Sequence, residues 1–303
     1  MPTLRQLEYL VAIADTQHFG RAAIAANVSQ PTLSQQLRNL EVRLGVTLVE
    51  RGTTPIQLTP VGREITDRAR QMVVQVDDIR ALAQRSISGV AGTIRFGVTP
   101  TLGPYLMPAV IAGMNRTYPD LRLLIREGIP DEQLAELRRG ALDMVLAPMP
   151  IGGTDLHIEP LFREALHLVA ASDDALCQKN PLRPEDLAGQ PVLSLDPRHH
   201  FHRQTRAICA ELKADLLDDY EGTSLDSLRQ MAGSGLGLAV LPELYLRSEA
   251  GGEATIRRLA ITGWSATRSL AAVWREGAAF SESYQLIAEA TATEARRIME
   301  SCQ

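Results

Sequence analysis

The sequence predicts an α+β chain of more than one domain: a small, mostly helical N-terminal domain, one long helix, and an α/β body built as two lobes around a cleft. Three observations predict it. Apolar residues recur at helical spacing in short blocks from Leu4 to Leu44, then at a strict a/d spacing from Ile65 to Ala83, and from Thr93 onward strand-like runs alternate with helical ones. The composition agrees, since 303 residues at 45% hydrophobic, 22% charged and 4% aromatic suit a globular chain of about two domains and exclude disordered and fibrous classes.

The first elements are three short helices. Leu7, Leu10 and Val11, then Ala22, Ala23 and Ala26, then Leu33, Leu37, Leu40 and Leu44 mark their buried faces, with breaks near Thr16–His18 and at Asn27-Val28-Ser29. Asn27 suits a left-handed helix end, Ser29 suits the cap of the next helix, and Pro31 is tolerated in a first turn. A helix, a three-residue turn and a second helix have the helix-turn-helix spacing. In the helix from Gln30 to about Arg43 the leucine stripe faces inward, which leaves Pro31, Ser34, Gln35 and Arg38 outward, flanked by Ser29, Gln30 and Thr32. An amide there can bond adenine edges, and a guanidinium can bond guanine or phosphate. The solvated face of an ordinary three-helix bundle has the same pattern.

Next, Thr47–Arg51 and Ile56–Leu58 alternate around Gly52-Thr53-Thr54-Pro55, which predicts a hairpin wing carrying Arg51 and Thr54 toward phosphates. Thr59-Pro60 is a helix start, cap then proline. Ile65, Ala69, Met72, Val76, Ile79 and Ala83 follow at spacings of 4, 3, 4, 3 and 4, a seam that predicts pairing with a second copy of the same helix. Packing on its own domain is the alternative, because alanine at two seam positions weakens the stripe. Ser86–Gly92 reads as a linker.

In the body, the pattern predicts strands at Thr93–Val98, Leu121–Arg126, Leu142–Ala147, Ala165–Ala171, Pro191–Leu195, Leu236–Leu241, Ile256–Ile261 and Ser269–Trp274. Helices are expected at Leu102–Arg116, Asp131–Arg139, His202–Lys213, Ser224–Ala232 and Phe280–Ser301. Alternation of this kind implies parallel sheets with helices on both faces, and two small sheets with a cleft between them suit the length. The expected domains are therefore 1–58, a linker helix and hinge at 59–92, and a body at 93–303, with subdomain I about 93–163 and 266–303 and subdomain II about 164–265.

Net charge is −5, but the average hides a split. Residues 1–88 hold ten Arg, no Lys and eight acids (+2), whereas residues 89–303 hold 21 bases and 28 acids (−7), so a mildly basic segment precedes an acidic body. Cys177, Cys209 and Cys302 form no CxxC pair and are odd in number, which argues against a disulfide scaffold. The first residues lack a signal-peptide layout and no run approaches a membrane span, so the chain reads as cytoplasmic with no membrane partner.

The segment Leu7-Glu8-Tyr9-Leu10-Val11 … His18-Phe19-x-Arg21-Ala22-Ala23 … Val28-Ser29-Gln30-Pro31-Thr32-Leu33-Ser34-x-Gln36-Leu37-x-x-Leu40-Glu41-x-x-Leu44-Gly45-Val46 … Glu50-Arg51 resembles the DNA-binding end of LysR-type transcriptional regulators. The resemblance continues through Thr99-Pro100-Thr101-Leu102-Gly103-Pro104-Tyr105-Leu106, Leu161-Phe162, Asp186-Leu187-Ala188-Gly189, Thr223-Ser224-Leu225 and Gly235-x-Gly237-x-x-x-Leu241-Pro242, and is greatest to the peroxide-responsive OxyR group. It implies a winged helix-turn-helix, a dimerising linker helix, and two α/β subdomains resembling a type 2 periplasmic binding protein. It also implies double-stranded promoter DNA and a small-molecule effector as partners, with dimers assembling into tetramers.

The chain departs from that group at its sensor. In Leu195-Asp196-Pro197-Arg198-His199-His200-Phe201-His202-Arg203-Gln204, the resemblance puts His200 where the peroxide-reactive cysteine belongs, and Cys209 matches the second cysteine. Imidazole cannot form a sulfenic acid for a thiol to capture. Pro130, in Glu127-Gly128-Ile129-Pro130, stands where the group has a hydroxyl-bearing threonine, although Thr101 is kept and Arg268 matches a basic residue near the missing thiol. The expectation is a regulator without a peroxide disulfide switch, whose effector is a small anion or aromatic acid held in the cleft. Thr99, Pro100 and Thr101 precede a helix start that favours an anion. Gly128, Pro148, Thr223 and Arg268 complete the expected lining, and His199 and His200 are expected to add a proton-dependent charge.

A metal reading of His199, His200 and His202 fails on spacing, because adjacent histidines point apart and no carboxylate or cysteine lies at ligand distance in sequence. No cofactor is expected. A redox role for Cys209 is the alternative sensor, against which stands its apolar helix face of Ala207, Ile208 and Leu212. An enzyme is not expected, since GxSxG, HExxH and P-loop motifs are absent and Gly233-x-Gly235-x-Gly237 precedes a strand rather than following one.

Overall fold

The computed structural model describes residues 1–50, 55–88, 92–249 and 255–300. It divides into two compact units, Met1–Ile87 and Ser88–Gln303. In the first unit, Thr3 and Gln6 form a capping box at the start of α1 (Leu4–Thr16), and Gln17 ends that helix in the left-handed conformation at φ 49°. His18 caps α2 (Phe19–Ala25), its Nδ1 accepting the N–H of Gly20 at 3.0 Å. Asn27 takes φ 54°, and Ser29 caps α3 (Gln30–Leu44) by accepting the Thr32 N–H. Local chemistry at these three residues thus sets the turn between the second and third helices. Leu10, Ile13, Leu33, Leu37 and Leu40 close the core beneath it.

The hairpin consists of β1 (Val49–Glu50) and β2 (Gln57–Leu58), antiparallel, with Val49 opposite Leu58. Arg51 and Thr54 lie outside the described residues. Glu41 on α3 accepts the N–H of Leu48 at 2.9 Å, which fixes the hairpin to the third helix. Thr59 Oγ1 accepts the Gly62 N–H at the start of α4 (Pro60–Ser88), and a Cβ at Gly62 would lie 2.1 Å from the Leu48 carbonyl oxygen, so only glycine lets this helix approach. The predicted seam along α4 divides. Ile65 packs on the core and Ala69 is buried, while Met72 and Ile79 are 54% and 65% exposed. The Ala83 side chain lies outside the described residues.

The second unit departs from the expected pair of separate sheets. Among the described residues one hydrogen-bonded sheet runs in the order β4-β3-β5-β11-β6-β9-β7-β8, with β10 (Ile256–Arg258) on β6. Its two ends are parallel: β3 (Gly92–Val98) lies between β4 (Leu121–Glu127) and β5 (Met144–Pro148), and β7 (Pro191–Leu195) lies between β8 (Asp215–Gly222) and β9 (Leu238–Pro242). An antiparallel pair joins them, β6 (Leu156–Ala171) with β11 (Ala266–Arg275). The physical reason is the length of β6: at 16 residues it serves both lobes, with its first half against β5's neighbour β11 and its second against β9 and β10.

Helices α5 (Gly103–Thr117) and α6 (Pro130–Arg138) cover the β3 lobe, and α7 (His200–Leu212), α8 (Leu225–Gly233) and α9 (Glu243–Ser248) the other. The last helix, α10 (Ser281–Glu300), packs on α5 and α9. Phe96, Leu106, Leu168, Leu193, Tyr245 and Tyr284 belong to one continuous core that runs through both lobes. No helix among the described residues is long and apolar enough to cross a membrane.

Candidate functional site

On α3, burial of Leu33, Leu37 and Leu40 leaves Ser29, Gln30, Pro31, Thr32, Gln35 and Arg38 exposed and Ser34 half-buried. Pro31, Gln35 and Arg38 succeed one another at helical spacing on the side away from the leucines. The hydroxyls of Ser29 and Thr32 are 2.8 Å apart, and the Gln35 amide donates to Asn39 at 3.1 Å. Sequence reasoning missed the support for this face. Gln36, behind it, accepts from the Gln6 amide at 3.1 Å and ties α1 to α3.

In the body, β3 ends at Val98 and the chain turns through Thr99-Pro100-Thr101 into α5. The Thr99 carbonyl accepts the N–H groups of Leu102 and Gly103, both at 2.9 Å, and the two threonine hydroxyls lie 3.4 Å apart, 4% and 3% exposed. Arg268, on β11, donates to the Thr101 hydroxyl at 2.9 Å and to the Thr101 carbonyl at 3.2 Å, while its Nε donates to Glu164 at 2.8 Å. Its guanidinium lies over the Phe201 ring, 5.4 Å from the centroid. The other Glu164 oxygen accepts the Leu244 N–H at the start of α9. Arg268 is therefore neither a surface charge nor a free cation awaiting an anion; its charge is matched by a fully buried carboxylate.

His199 and His200 open α7. Each has a buried Nδ1 without a hydrogen-bond partner, and so does the side-chain oxygen of Gln204, one turn after His200. Burial lowers the pKa of His200 below the ordinary histidine value, helped by the nearby Arg203 and Arg268 and opposed by Asp131. Burial likewise lowers that of His199, against the pull of Asp196. Burial thus disfavours the charged form of both rings, against the proton-dependent charge expected from the sequence. Arg203 bridges to Asp131 at 3.0 Å, joining α7 to α6. Neither α5, capped at Leu102, nor α7, capped at His199, has a side-chain cap; at α5 the Gly103 and Tyr105 N–H groups go to the Thr99 and Leu102 carbonyls and Pro104 has none, so the start of α7 is the one of the two suited to an anion.

Three expected lining residues lie apart from this cluster's described hydrogen bonds. The Gly128 N–H donates to the Val98 carbonyl and its Cα packs on the Gln133 amide, Pro148 is buried in β5 opposite Leu270, and Thr223 is exposed just before Ser224, which caps α8 instead. Missed by the sequence were Glu164, Phe201 and Glu127, whose carboxylate rests against Gly103 and has its pKa raised by burial. His202 is held by Ser194 and the Leu195 carbonyl at 3.0 and 2.9 Å, a structural role. No cluster of three metal-ligating side chains occurs among the described residues. Cys209 is buried on α7, and burial, with Asp215 adding to it, pushes its thiol up to about 11.

Two family models match the sequence: the LysR substrate binding domain over residues 88–296, and the bacterial regulatory helix-turn-helix protein, lysR family, over residues 4–63. The chain is 34% identical over 288 residues to the DNA-binding transcriptional dual regulator OxyR of Escherichia coli K12, covering 95% of this chain and 94% of that protein. It is 32% identical over 299 residues to a hydrogen peroxide-inducible genes activator of Haemophilus influenzae, covering 98% of each. Among solved structures it is similar to a cysteine-to-aspartate variant of full-length OxyR from Pseudomonas aeruginosa, with TM-score 0.78, 32% identity, and coverage of 95% and 94%. A peroxide-bound cysteine-to-serine variant of Corynebacterium glutamicum OxyR gives TM-score 0.64 at 28% identity, covering 99% of this chain and 96% of that one.

Proposed function

The chain belongs to the LysR family of DNA-binding transcription regulators, and from that premise we propose that its body responds to a small effector bound reversibly at the Thr99–Thr101, His200 and Arg268 cluster, without a peroxide disulfide switch. The observation that carries this reading is His200: a half-buried imidazole with a buried, unpartnered Nδ1 stands at the start of α7, where resemblance to the peroxide-responsive relatives places a reactive thiol. The effector is a small anion or aromatic acid. Backbone N–H groups at the start of α7 supply its anion contacts, because Arg268 is already matched by Glu164, and Phe201 and Pro100 supply apolar surface.

The DNA partner is a double-stranded promoter read by Gln35 and Arg38, with Arg51 and Thr54 on phosphates. Met72 and Ile79 join α4 to its copy in a second chain, dimers pair into tetramers, and the protein acts in the cytoplasm. We keep the division into 1–58, 59–92 and 93–303 as the working one.

A second reading, an OxyR-like redox regulator using Cys209, is favoured by the named activity of the relatives. Against it, a thiol with a pKa pushed up to about 11 is almost wholly protonated at pH 7, and the thiolate is the reactive form. A thermal-shift screen of small acids and aromatics on the full chain tests the proposal. Hits should raise the melting temperature, and Thr101→Val should cancel the rise; hits insensitive to Thr101→Val would place the effector elsewhere.

A further inference from the structure

We propose that Tyr105, Asp226, Tyr245 and Arg229 form a latch between the two lobes of the body, and that it passes a change at Thr101 to α8. Tyr105 lies on α5, in the β3 lobe, and its hydroxyl donates to one Asp226 oxygen at 2.8 Å; Asp226 lies in the first turn of α8, in the opposite lobe. Tyr245, on α9, donates to the other Asp226 oxygen at 3.2 Å and accepts from Arg229 Nε at 3.0 Å. The two tyrosine rings meet edge to face, with centroids 4.8 Å apart and planes at 84°. Tyr105 is 8% exposed and Tyr245 fully buried, whereas Asp226 and Arg229 are half-buried, so the phenols lie in the apolar core and the carboxylate at its edge. Each phenol reaches this half-buried carboxylate with a charge-assisted hydrogen bond, and losing one loosens its hold on the first turn of α8.

Because the Tyr105 bond crosses between the lobes, the contact is a device with two settings, made and released, rather than a passive brace. Thr101 precedes Tyr105 by four residues, about one helical turn, and is itself held by Arg268 from the sheet. A ligand that draws Thr101 away from Arg268 tilts the start of α5 and carries the Tyr105 hydroxyl with it. A shift of about 1 Å takes a 2.8 Å bond beyond hydrogen-bond range. Released from Tyr105, Asp226 frees the first turn of α8, the helix whose far end exposes Met231 and leads to exposed Leu236.

The transmission half of this proposal rests on Thr101 being an effector contact; the holding half does not. Backbone amide exchange on the full chain, followed by mass spectrometry without any ligand, tests both. Tyr105→Phe should speed exchange across α8 roughly tenfold, the size expected for one lost charge-assisted hydrogen bond, while the far-ultraviolet circular dichroism stays that of the unmodified chain. Should Tyr105→Phe not fold, Asp226→Asn, which keeps the shape, must give the same local acceleration. Unchanged α8 exchange in a folded variant would overturn the latch. Thr101→Val should then alter α8 exchange in the unmodified chain but not in the Tyr105→Phe background. An equal effect in both backgrounds would overturn the transmission, whatever the acid screen had returned.

Discussion

Burial decides the chemistry at His200, Arg268 and Cys209, and none of the three behaves as its side chain does in water. Burial lowers the His200 pKa despite Asp131, so the free ring takes up a proton only below the ordinary histidine value of about 6.5. An anion bound beside it favours the protonated form, so affinity for a small acid should rise as pH falls from 7 toward 5, and titration calorimetry should record proton uptake on binding. His200→Asn should flatten that pH dependence. Without ligand the sign is opposite: the unfolded chain binds the proton more readily than the folded one, so the stability tied to His200 is full above about pH 6.5 and lost as pH falls. Arg268 and Glu164 are 1% and 0% exposed as side chains, and Glu164→Gln leaves a buried cation without its partner. The expected cost is about 3–5 kcal/mol, read as a fall in Tm of roughly 10 °C. The sequence made Arg268 a candidate but not Glu164, because an acid beside an apolar strand run reads as solvent-facing and nothing local announces a partner 104 residues away.

Elements governed by local chemistry were legible; those governed by partners distant in sequence were not. The turn from α2 to α3 could be read from Asn27, Ser29 and Pro31, since a left-handed residue, a cap and a first-turn proline act within a few residues. Outward placement of Gln35 and Arg38 followed from the leucine stripe alone. Gln35→Ala and Arg38→Ala should each weaken binding to a selected DNA site by about 1–3 kcal/mol, whereas Arg51→Ala should chiefly reduce the salt slope; a gel-shift titration at several salt concentrations separates the two. Strand β8, by contrast, was unreadable. Its Asp215-Leu216-Leu217-Asp218-Asp219-Tyr220-Glu221-Gly222 run has no period of two, and its register against β7 shifts between Val192 and Ser194. The α4 seam was half legible, for Gly62 brings the first turns against Leu48 and leaves Met72 and Ile79 as its unpartnered part.

At the scale of the molecule, the dense N-terminal motif and the split between a +2 segment and a −7 body pointed to a DNA reader joined to an acidic α/β body. How the body's lobes join was hidden in the first half of β6. Leu156-His157-Ile158-Glu159-Pro160 alternates weakly and contains a proline, yet it pairs with β11 and makes one sheet of two. Lobes joined by two shared strands keep one continuous sheet, which suits control by a reversibly bound effector rather than by refolding around a new covalent bond. The relatives' named activity is the strongest rival to that view. The most direct test exposes the full chain, bound to a selected DNA fragment, to hydrogen peroxide, and maps its cysteines by mass spectrometry beside the footprint. The account predicts no disulfide between Cys177 and Cys209 and an unaltered footprint; a stoichiometric disulfide with a changed footprint would contradict it.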